Sequence, residues 1–94
     1  MYYVYVLYNL DVRSQRKFYI GVTNNLKKRV AEHNAPECGW TSGFGPWSLV
    51  YYEAYLSWKD ASAREQRLKN HGKGFSELKR RLVQSIYEAK KVRD

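Results

Sequence analysis

The chain has 94 residues, which suits one small domain, residues 1–94, with a hydrophobic core of its own. Hydrophobic residues make up 44% of the sequence and aromatic residues 16%, and this composition excludes an intrinsically disordered chain. The formal net charge of +8 favours a polyanionic partner: DNA, RNA or an anionic membrane surface. Simple solubility is the alternative explanation for that charge.

The single cysteine, Cys38, excludes an internal disulfide, and no Cys or His stands near it at a metal-site spacing. We therefore expect Cys38 to be chemically inert. The opening MYYVYVLY has no basic region and no apolar stretch long enough for a signal peptide or a membrane span. We expect a soluble cytoplasmic protein with no membrane partner.

The first half of the chain predicts a β-hairpin followed by a helix. Tyr and Val dominate residues 2–8, which is a strand composition, and residues 17–22 form a second such run. Between them, residues 9–16 are polar and charged, as in a hairpin loop. A short polar side chain within residues 23–25 is expected to cap a helix that ends near Asn34, because such side chains accept hydrogen bonds from the first-turn amides.

The second half predicts a third strand and two helices, after a long connection rich in Gly and Pro. Residues 47–55 form the strand, and Ser57 followed by Asp60 resembles a capping box that begins a helix ending near His71. Apolar residues at helical spacing predict a last helix over 75–90. The order β β α β α α indicates an α+β domain in which helices flank a three-stranded antiparallel sheet.

Several polar and aromatic side chains are predicted to share one side of this sheet. If the first two strands pair as a hairpin, alternation directs Tyr5 and Tyr19 to the same face, and Gly21 beside them is expected to leave open space for close approach to Tyr19. Arg29 and His33 lie four residues apart on one edge of the first helix. The alternatives are ordinary aromatic strand packing, and a solvated arginine with an incidental histidine.

One carboxylate stands out on the second predicted helix. Ala61, Glu65 and Leu68 share a stripe that should face the protein, where a carboxylate requires a paired cation or a metal ion. Mg²⁺ is commonly held by one or two protein carboxylates, so Glu65 is a candidate metal ligand. An ion pair with Arg64, Arg67 or another cation is the equally weighted alternative.

Together these residues resemble the GIY-YIG nuclease superfamily. Residues 3–5 (YVY) stand where the family has GIY, and residues 19–21 are an intact YIG. RVAEH at 29–33 and Arg-Glu at 64–65 follow in the family's order. The resemblance covers residues 2–82 and is especially close to small stand-alone members and to the nuclease domain of structure-specific resolvases, through RVAEHN and TSGFGPWSLVY.

The resemblance implies a divalent-metal-dependent endonuclease that hydrolyses DNA phosphodiester bonds, at branched or damaged DNA. It implies that Glu65 binds the metal ion, Mg²⁺ or Mn²⁺, and that Arg29 holds the scissile phosphate. It also implies that Tyr5 and Tyr19 border the attacking water, one of them as general base or orienting group. His33 occupies a position where members carry His or Tyr.

Exposed cations and one tryptophan are expected to contact the nucleic acid without reading its sequence. They are Lys27, Lys28, Lys69, Lys73, Lys79, Arg80 and Trp40. A solvated polar face is the alternative for the basic residues. Two alternatives to a stand-alone enzyme remain: a non-catalytic nucleic-acid-binding module, and a nuclease subunit that needs a protein partner or a second copy.

Overall fold

The computed structural model describes residues 1–35, 45–70 and 72–93. These residues form three strands and four helices: β1 (Tyr2–Asn9), β2 (Phe18–Thr23), α1 (Leu26–Asn34), β3 (Trp47–Tyr55), α2 (Trp58–Lys69), α3 (Lys73–Arg81) and α4 (Val83–Arg93). Within the described ranges, no helix is both long and apolar enough to cross a bilayer.

The three strands form one antiparallel sheet in the order β2-β1-β3. The central strand β1 is the most deeply buried element, because both of its edges are paired. Its Tyr5 lies opposite Gly21 of β2 on one side and Tyr52 of β3 on the other. The predicted α+β architecture with a three-stranded antiparallel sheet is therefore confirmed.

The two faces of the sheet pack against different helices, as the alternation along the strands predicts. The face with Val4, Val6 and Ile20 is covered by apolar residues of the last three helices: Ala61, Leu68, Leu78 and Leu82. The opposite face carries a smaller cluster, and α1 covers it through two residues: Leu26 and Val30. Tyr5 and Tyr19 lie on this second face, under α1.

The segment predicted as one helix over 75–90 is two helices, so that prediction is wrong in this detail. Leu82 interrupts the helical run, and α3 ends before it while α4 begins after it. Leu78, Leu82 and Ile86 all pack on the core and keep a four-residue spacing through the break. Because the apolar spacing continues across Leu82, periodicity alone could not reveal the interruption.

The end of α1 is fastened to the start of β3 by one side chain. The backbone N–H of Trp47 donates to Asn34 Oδ1 at 2.8 Å, and Asn34 Nδ2 donates to the Trp47 carbonyl at 3.0 Å. The indole of Trp47 is buried in the second cluster. This fastening fixes the position of the helix that carries Arg29 and His33.

Candidate active site

The ring of Tyr5 occupies the space beside Gly21. A Cβ atom built on Gly21 would lie 2.6 Å from Tyr5 Cζ, closer than Cβ atoms approach other heavy atoms in proteins. The expectation of open space at Gly21 is therefore wrong, because the missing side chain accommodates Tyr5 itself. The group that approaches Gly21 closely is the Tyr5 ring of the same chain.

Tyr5 is joined to α1 by hydrogen bonds. Its hydroxyl lies 2.9 Å from His33 Nε2, and it also forms a side-chain hydrogen bond with Arg29. A guanidinium can only donate, so the Tyr5 oxygen accepts from Arg29. The Tyr5 O–H can then donate to His33 Nε2 in the tautomer that leaves this nitrogen unprotonated, and the contact gives both buried groups a partner.

Burial sets the protonation of this cluster. It raises the pKa of Tyr5 to about 12, although the hydrogen bond from Arg29 opposes that rise. Burial also lowers the pKa of His33, and the positive charge of Arg29 lowers it further. Burial opposes the charge of Arg29, yet its hydrogen bonds to Tyr5 and Glu32 hold the guanidinium pKa above its ordinary value. At neutral pH the cluster therefore holds a phenol, a neutral imidazole and a guanidinium.

Tyr19 packs against the same cluster from β2. Its ring centroid lies 4.4 Å from that of His33 and 6.3 Å from that of Tyr5. Unlike Tyr5, which is 1% exposed, Tyr19 is only half-buried. Tyr19 thus forms the solvent-facing edge of an aromatic and polar cluster that includes Arg29.

Glu65 lies on the inward stripe of α2, as predicted. Ala61 and Leu68 on that stripe are buried, and the Glu65 side chain is 13% exposed. Its Oε2 accepts from Lys69 Nζ at 3.2 Å, so Lys69 is the paired cation. The Glu65 charge also raises the pKa of Tyr5, which places the carboxylate within electrostatic range of the cluster.

Glu65 contributes one carboxylate to the candidate metal site. Across the three described ranges, no group of three or more His, Cys, Asp or Glu side chains gathers at a position that could hold a metal ion. Mg²⁺ retains several waters and is commonly bound through one or two carboxylates plus substrate phosphates. A single inward carboxylate therefore fits a metal site that is completed by the substrate.

Comparison with known proteins decides the family. The family model for the GIY-YIG catalytic domain matches residues 1–82. This chain belongs to the GIY-YIG family. The predicted resemblance is confirmed, and nucleases with this domain generally use a divalent metal ion.

Individual GIY-YIG relatives extend this assignment. A UPF0213 protein of Clostridium perfringens is 42% identical over 71 residues, which cover 73% of this chain and 71% of the relative. A UPF0213 protein of Natronomonas pharaonis is 40% identical over 70 residues, covering 73% and 78% respectively. The structure-specific endonuclease subunit SLX1 of Homo sapiens is 43% identical over 51 residues, 50% of this chain but 18% of that protein. No solved structure matches. The domain match and the similarity to SLX1 support a nuclease.

The other predicted nucleic-acid contacts of this GIY-YIG chain are one tryptophan and six cations. Trp40 is outside the described residues. The exposed cations are Lys27 and Lys28 on α1, Lys69 at the end of α2, and Lys73, Lys79 and Arg80 on α3. They are spread over three helices, so the structure does not gather them into one site.

The sequence did not predict a hydrogen-bond network that includes Arg64, the residue before Glu65. Arg64 donates to both oxygens of Glu53, from Nε at 2.9 and 3.1 Å and from Nη2 at 2.9 Å. The hydroxyls of Tyr51 and Tyr55 donate to the same carboxylate at 2.5 and 2.6 Å. The available signal was the two-residue spacing of Tyr51, Glu53 and Tyr55, which puts a carboxylate between two phenols on one strand face. The network ties α2, the helix of Glu65, to β3.

Proposed function

We propose that this chain is a divalent-metal-dependent endonuclease that hydrolyses DNA phosphodiester bonds. Its proposed catalytic residues are Tyr5, Tyr19, Arg29, His33 and Glu65. The observation that carries the proposal is the hydrogen-bonded cluster of Tyr5, His33 and Arg29, with Tyr19 packed against it. A pure nucleic-acid binder has no evident use for a buried phenol–imidazole pair next to a guanidinium.

Arg29 is the proposed phosphate ligand. Its side chain is 39% exposed, and Nη1 donates to Glu32 Oε1 at 3.2 Å, while Tyr5 accepts from the same guanidinium. These two partners hold the group in place and leave part of it open. A planar, always charged fork in a fixed orientation is well suited to a phosphodiester.

The two tyrosines have different roles in this proposal. Tyr5 is 1% exposed and its pKa is about 12, so it keeps its proton and positions Arg29 and His33. Tyr19 is half-buried at the edge of the cluster. We assign to Tyr19 the orientation of the attacking water, with His33 in ring contact behind it.

Glu65 is the proposed ligand of the metal ion, Mg²⁺ or Mn²⁺. A divalent cation bound there would neutralise charge on a phosphoryl oxygen and on the leaving oxygen. The contribution of the chain is a carboxylate that α2 holds in a half-buried position next to Lys69. Lys69 Nζ lies 3.2 Å from Glu65 Oε2, so a divalent cation bound by this carboxylate would take the place of the ammonium group.

DNA with branches or damage is the proposed substrate. The net charge of +8 favours a polyanion, and exposed lysines on three helices provide sequence-independent phosphate contacts. The human relative is named as a structure-specific endonuclease subunit, and this supports a branched substrate and a partner subunit here too. We place the activity in the cytoplasm.

The test is cleavage of supercoiled, nicked and branched DNA by the purified protein with Mg²⁺ or Mn²⁺. We expect cutting that EDTA stops, that Glu65→Ala abolishes and that Glu77→Ala preserves, because Glu77 is an exposed residue of α3. Cutting that persists in Glu65→Ala would show that the activity is a contaminant or that the site is wrong. Salt-dependent DNA binding without cleavage, unchanged in Glu65→Ala, would instead identify a binding module.

A further inference from the structure

A groove of about 500 Å³ runs along the outer edge of β2. Among the strands of the described residues, β2 pairs with β1 alone, and no described strand pairs with its other edge. The groove is lined by three aromatic, two cationic and two aliphatic residues: Phe18, Tyr19, Phe75, Arg16, Lys69, Ile20 and Leu68. Consecutive residues of β2 line it, which places it alongside the strand instead of on one sheet face.

The groove adjoins the candidate active site through two of its lining residues. Tyr19 lines the groove and is also in ring contact with His33. Lys69 lines it and donates to the Glu65 carboxylate at 3.2 Å. A strand that lay in this groove would therefore run directly into the proposed hydrolytic site.

The lining combines rings with positive charge. Phe18 and Phe75 are half-buried and meet edge to face, with ring centroids 5.3 Å apart. Lys79 Nζ lies 5.1 Å from the centroid of Phe75 and adds a third cation at the rim. Aromatic surfaces within a cationic groove are how proteins bind single-stranded nucleic acid, because every base has a face that stacks.

Arg16, which contributes one of the two cations of the lining, lies in a loop whose backbone is held by hydrogen bonds. The carbonyl of Arg16 accepts from the side chain of Asn9 at 3.0 Å, and Asn9 is 1% exposed. The N–H of Arg16 donates to Ser14 Oγ at 3.1 Å. Both sides of the Arg16 backbone are thus fixed before any ligand binds, which lowers the entropic cost of binding.

We propose that this groove holds one unpaired nucleotide of the DNA strand, next to the phosphodiester that is cut. The base packs on Phe18 and Phe75, and Arg16 and Lys69 contact its phosphates. The volume suits one nucleotide and not a duplex. The inference rests on the proposed function and defines its substrate class: DNA with a single-stranded segment at the cut, such as a flap or a splayed arm.

Binding in EDTA tests the groove without cleavage. Fluorescence anisotropy compares a labelled oligothymidylate with a hairpin duplex of equal length. We expect Arg16→Ala to weaken oligothymidylate binding roughly 10-fold and duplex binding by less than about twofold, since the groove accepts only unpaired bases. Arg13→Ala is the matched control, because it removes the same charge from the same loop at a side chain that is 88% exposed.

Phe75→Leu keeps an apolar side chain but removes the ring. We expect it to weaken oligothymidylate binding roughly 5-fold and duplex binding by less than about twofold. Equal effects of Arg16→Ala and Arg13→Ala, or equal losses for both DNAs, would overturn the proposal. Because Arg16 is exposed in a loop, its variant remains informative even if Phe75→Leu fails to fold.

The outcomes separate this inference from the proposed function. Arg16-dependent preference for oligothymidylate in a protein that cuts no DNA would support the groove and contradict the nuclease. Glu65-dependent cutting without that preference would support the nuclease and contradict the groove. Thymidine 5′-monophosphate that competes as well as the oligonucleotide, per nucleotide, would also overturn the proposal, because the groove would then be a site for free nucleotides.

Discussion

The Tyr5 hydroxyl and His33 Nε2 lie 2.9 Å apart, and this buried contact joins the central strand β1 to helix α1. Tyr5 is 1% exposed and His33 is 2% exposed, so neither side chain meets solvent directly. Arg29 and Tyr19 are arranged around this pair. The geometry of the proposed phosphate ligand and water-orienting group therefore depends on one buried hydrogen bond.

The His33 side chain should make stability depend on pH. Burial lowers its folded-state pKa below the ordinary value of 6.5, so the unfolded chain takes up a proton first as the pH falls. The stability from a neutral His33 is thus complete above the unfolded pKa and is lost as the pH falls toward the folded pKa. Urea unfolding between about pH 7.5 and 5 should show this loss.

His33→Gln is the control for that dependence. The amide can still accept from Tyr5 but does not titrate. We expect the variant to lose less stability than the parent over the same pH range, because its side chain no longer contributes to the difference in bound protons. Parallel pH profiles for the two proteins would contradict the neutral, buried state of His33.

Gly21→Ala should destabilise the protein through a steric clash. The new Cβ would lie 2.6 Å from Tyr5 Cζ, and the Tyr5 ring cannot move away without breaking its bond to His33. We expect a loss of roughly 1–3 kcal/mol in the free energy of unfolding, measured by urea titration.

Gly74→Ala provides the matched comparison. Its Cβ would meet Arg67 Cγ at 3.8 Å, an ordinary contact, and Gly74 lies within α3. The helix should gain about 0.5–1 kcal/mol from this change, because Ala loses less conformational entropy than Gly. Similar effects of the two substitutions would contradict the close packing of Tyr5 on Gly21.

The Glu53–Arg64 pair should contribute to stability well beyond a surface ion pair. The side chains are 16% and 22% exposed, and the carboxylate accepts from Tyr51 and Tyr55 as well. Glu53→Gln leaves Arg64 without a counter-charge in a half-buried position. We expect a loss of roughly 2–3 kcal/mol by urea unfolding. Glu77→Gln, at an exposed carboxylate, should change the stability by less than about 0.5 kcal/mol, and an equal effect would refute the structural role of the network.

Lys69 should compete with the proposed metal ion for Glu65. Its ammonium group donates to Oε2 at 3.2 Å, so a divalent cation must displace it. Lys69→Met should therefore tighten Mn²⁺ binding in the absence of DNA. We expect a several-fold change in affinity, which corresponds to the free energy of one surface ion pair. Titration calorimetry or the Mn²⁺ spin-resonance signal measures this affinity without reference to activity. Lys59→Met, on the exposed first turn of the same helix, is the control, and equal Mn²⁺ affinities in the two variants would count against the metal site.

Short-range patterns in the sequence predicted most of the fold and part of the site. Strand alternation, together with the predicted hairpin pairing, put Tyr5 and Tyr19 on one face, because side chains alternate in direction along each strand. The four-residue spacing likewise paired Arg29 with His33, and the seven-residue stripe put Glu65 inward. The two helix relationships lie within single helices, and the strand relationship needs only the pairing of a hairpin.

Contacts between distant segments could not be read in the same way. The fit of Tyr5 over Gly21 depends on the strand register. A glycine that leaves room for a ligand and a glycine that leaves room for a protein ring look the same in the sequence. Glu53 and Arg64 meet only when α2 packs on β3. The break at Leu82 leaves the apolar spacing intact, so it has no signature in the hydrophobic pattern.

The most direct test of the central claim is the single-turnover rate of cleavage of a splayed DNA by Glu65→Gln, at protein concentrations that saturate binding. Saturation separates the chemical step from affinity. We predict a rate at least roughly 100-fold below that of the parent protein, with unchanged DNA affinity in EDTA and a parental rate in Glu77→Gln. A Glu65→Gln rate equal to that of the parent would contradict the account, because the carboxylate would then have no part in the hydrolysis.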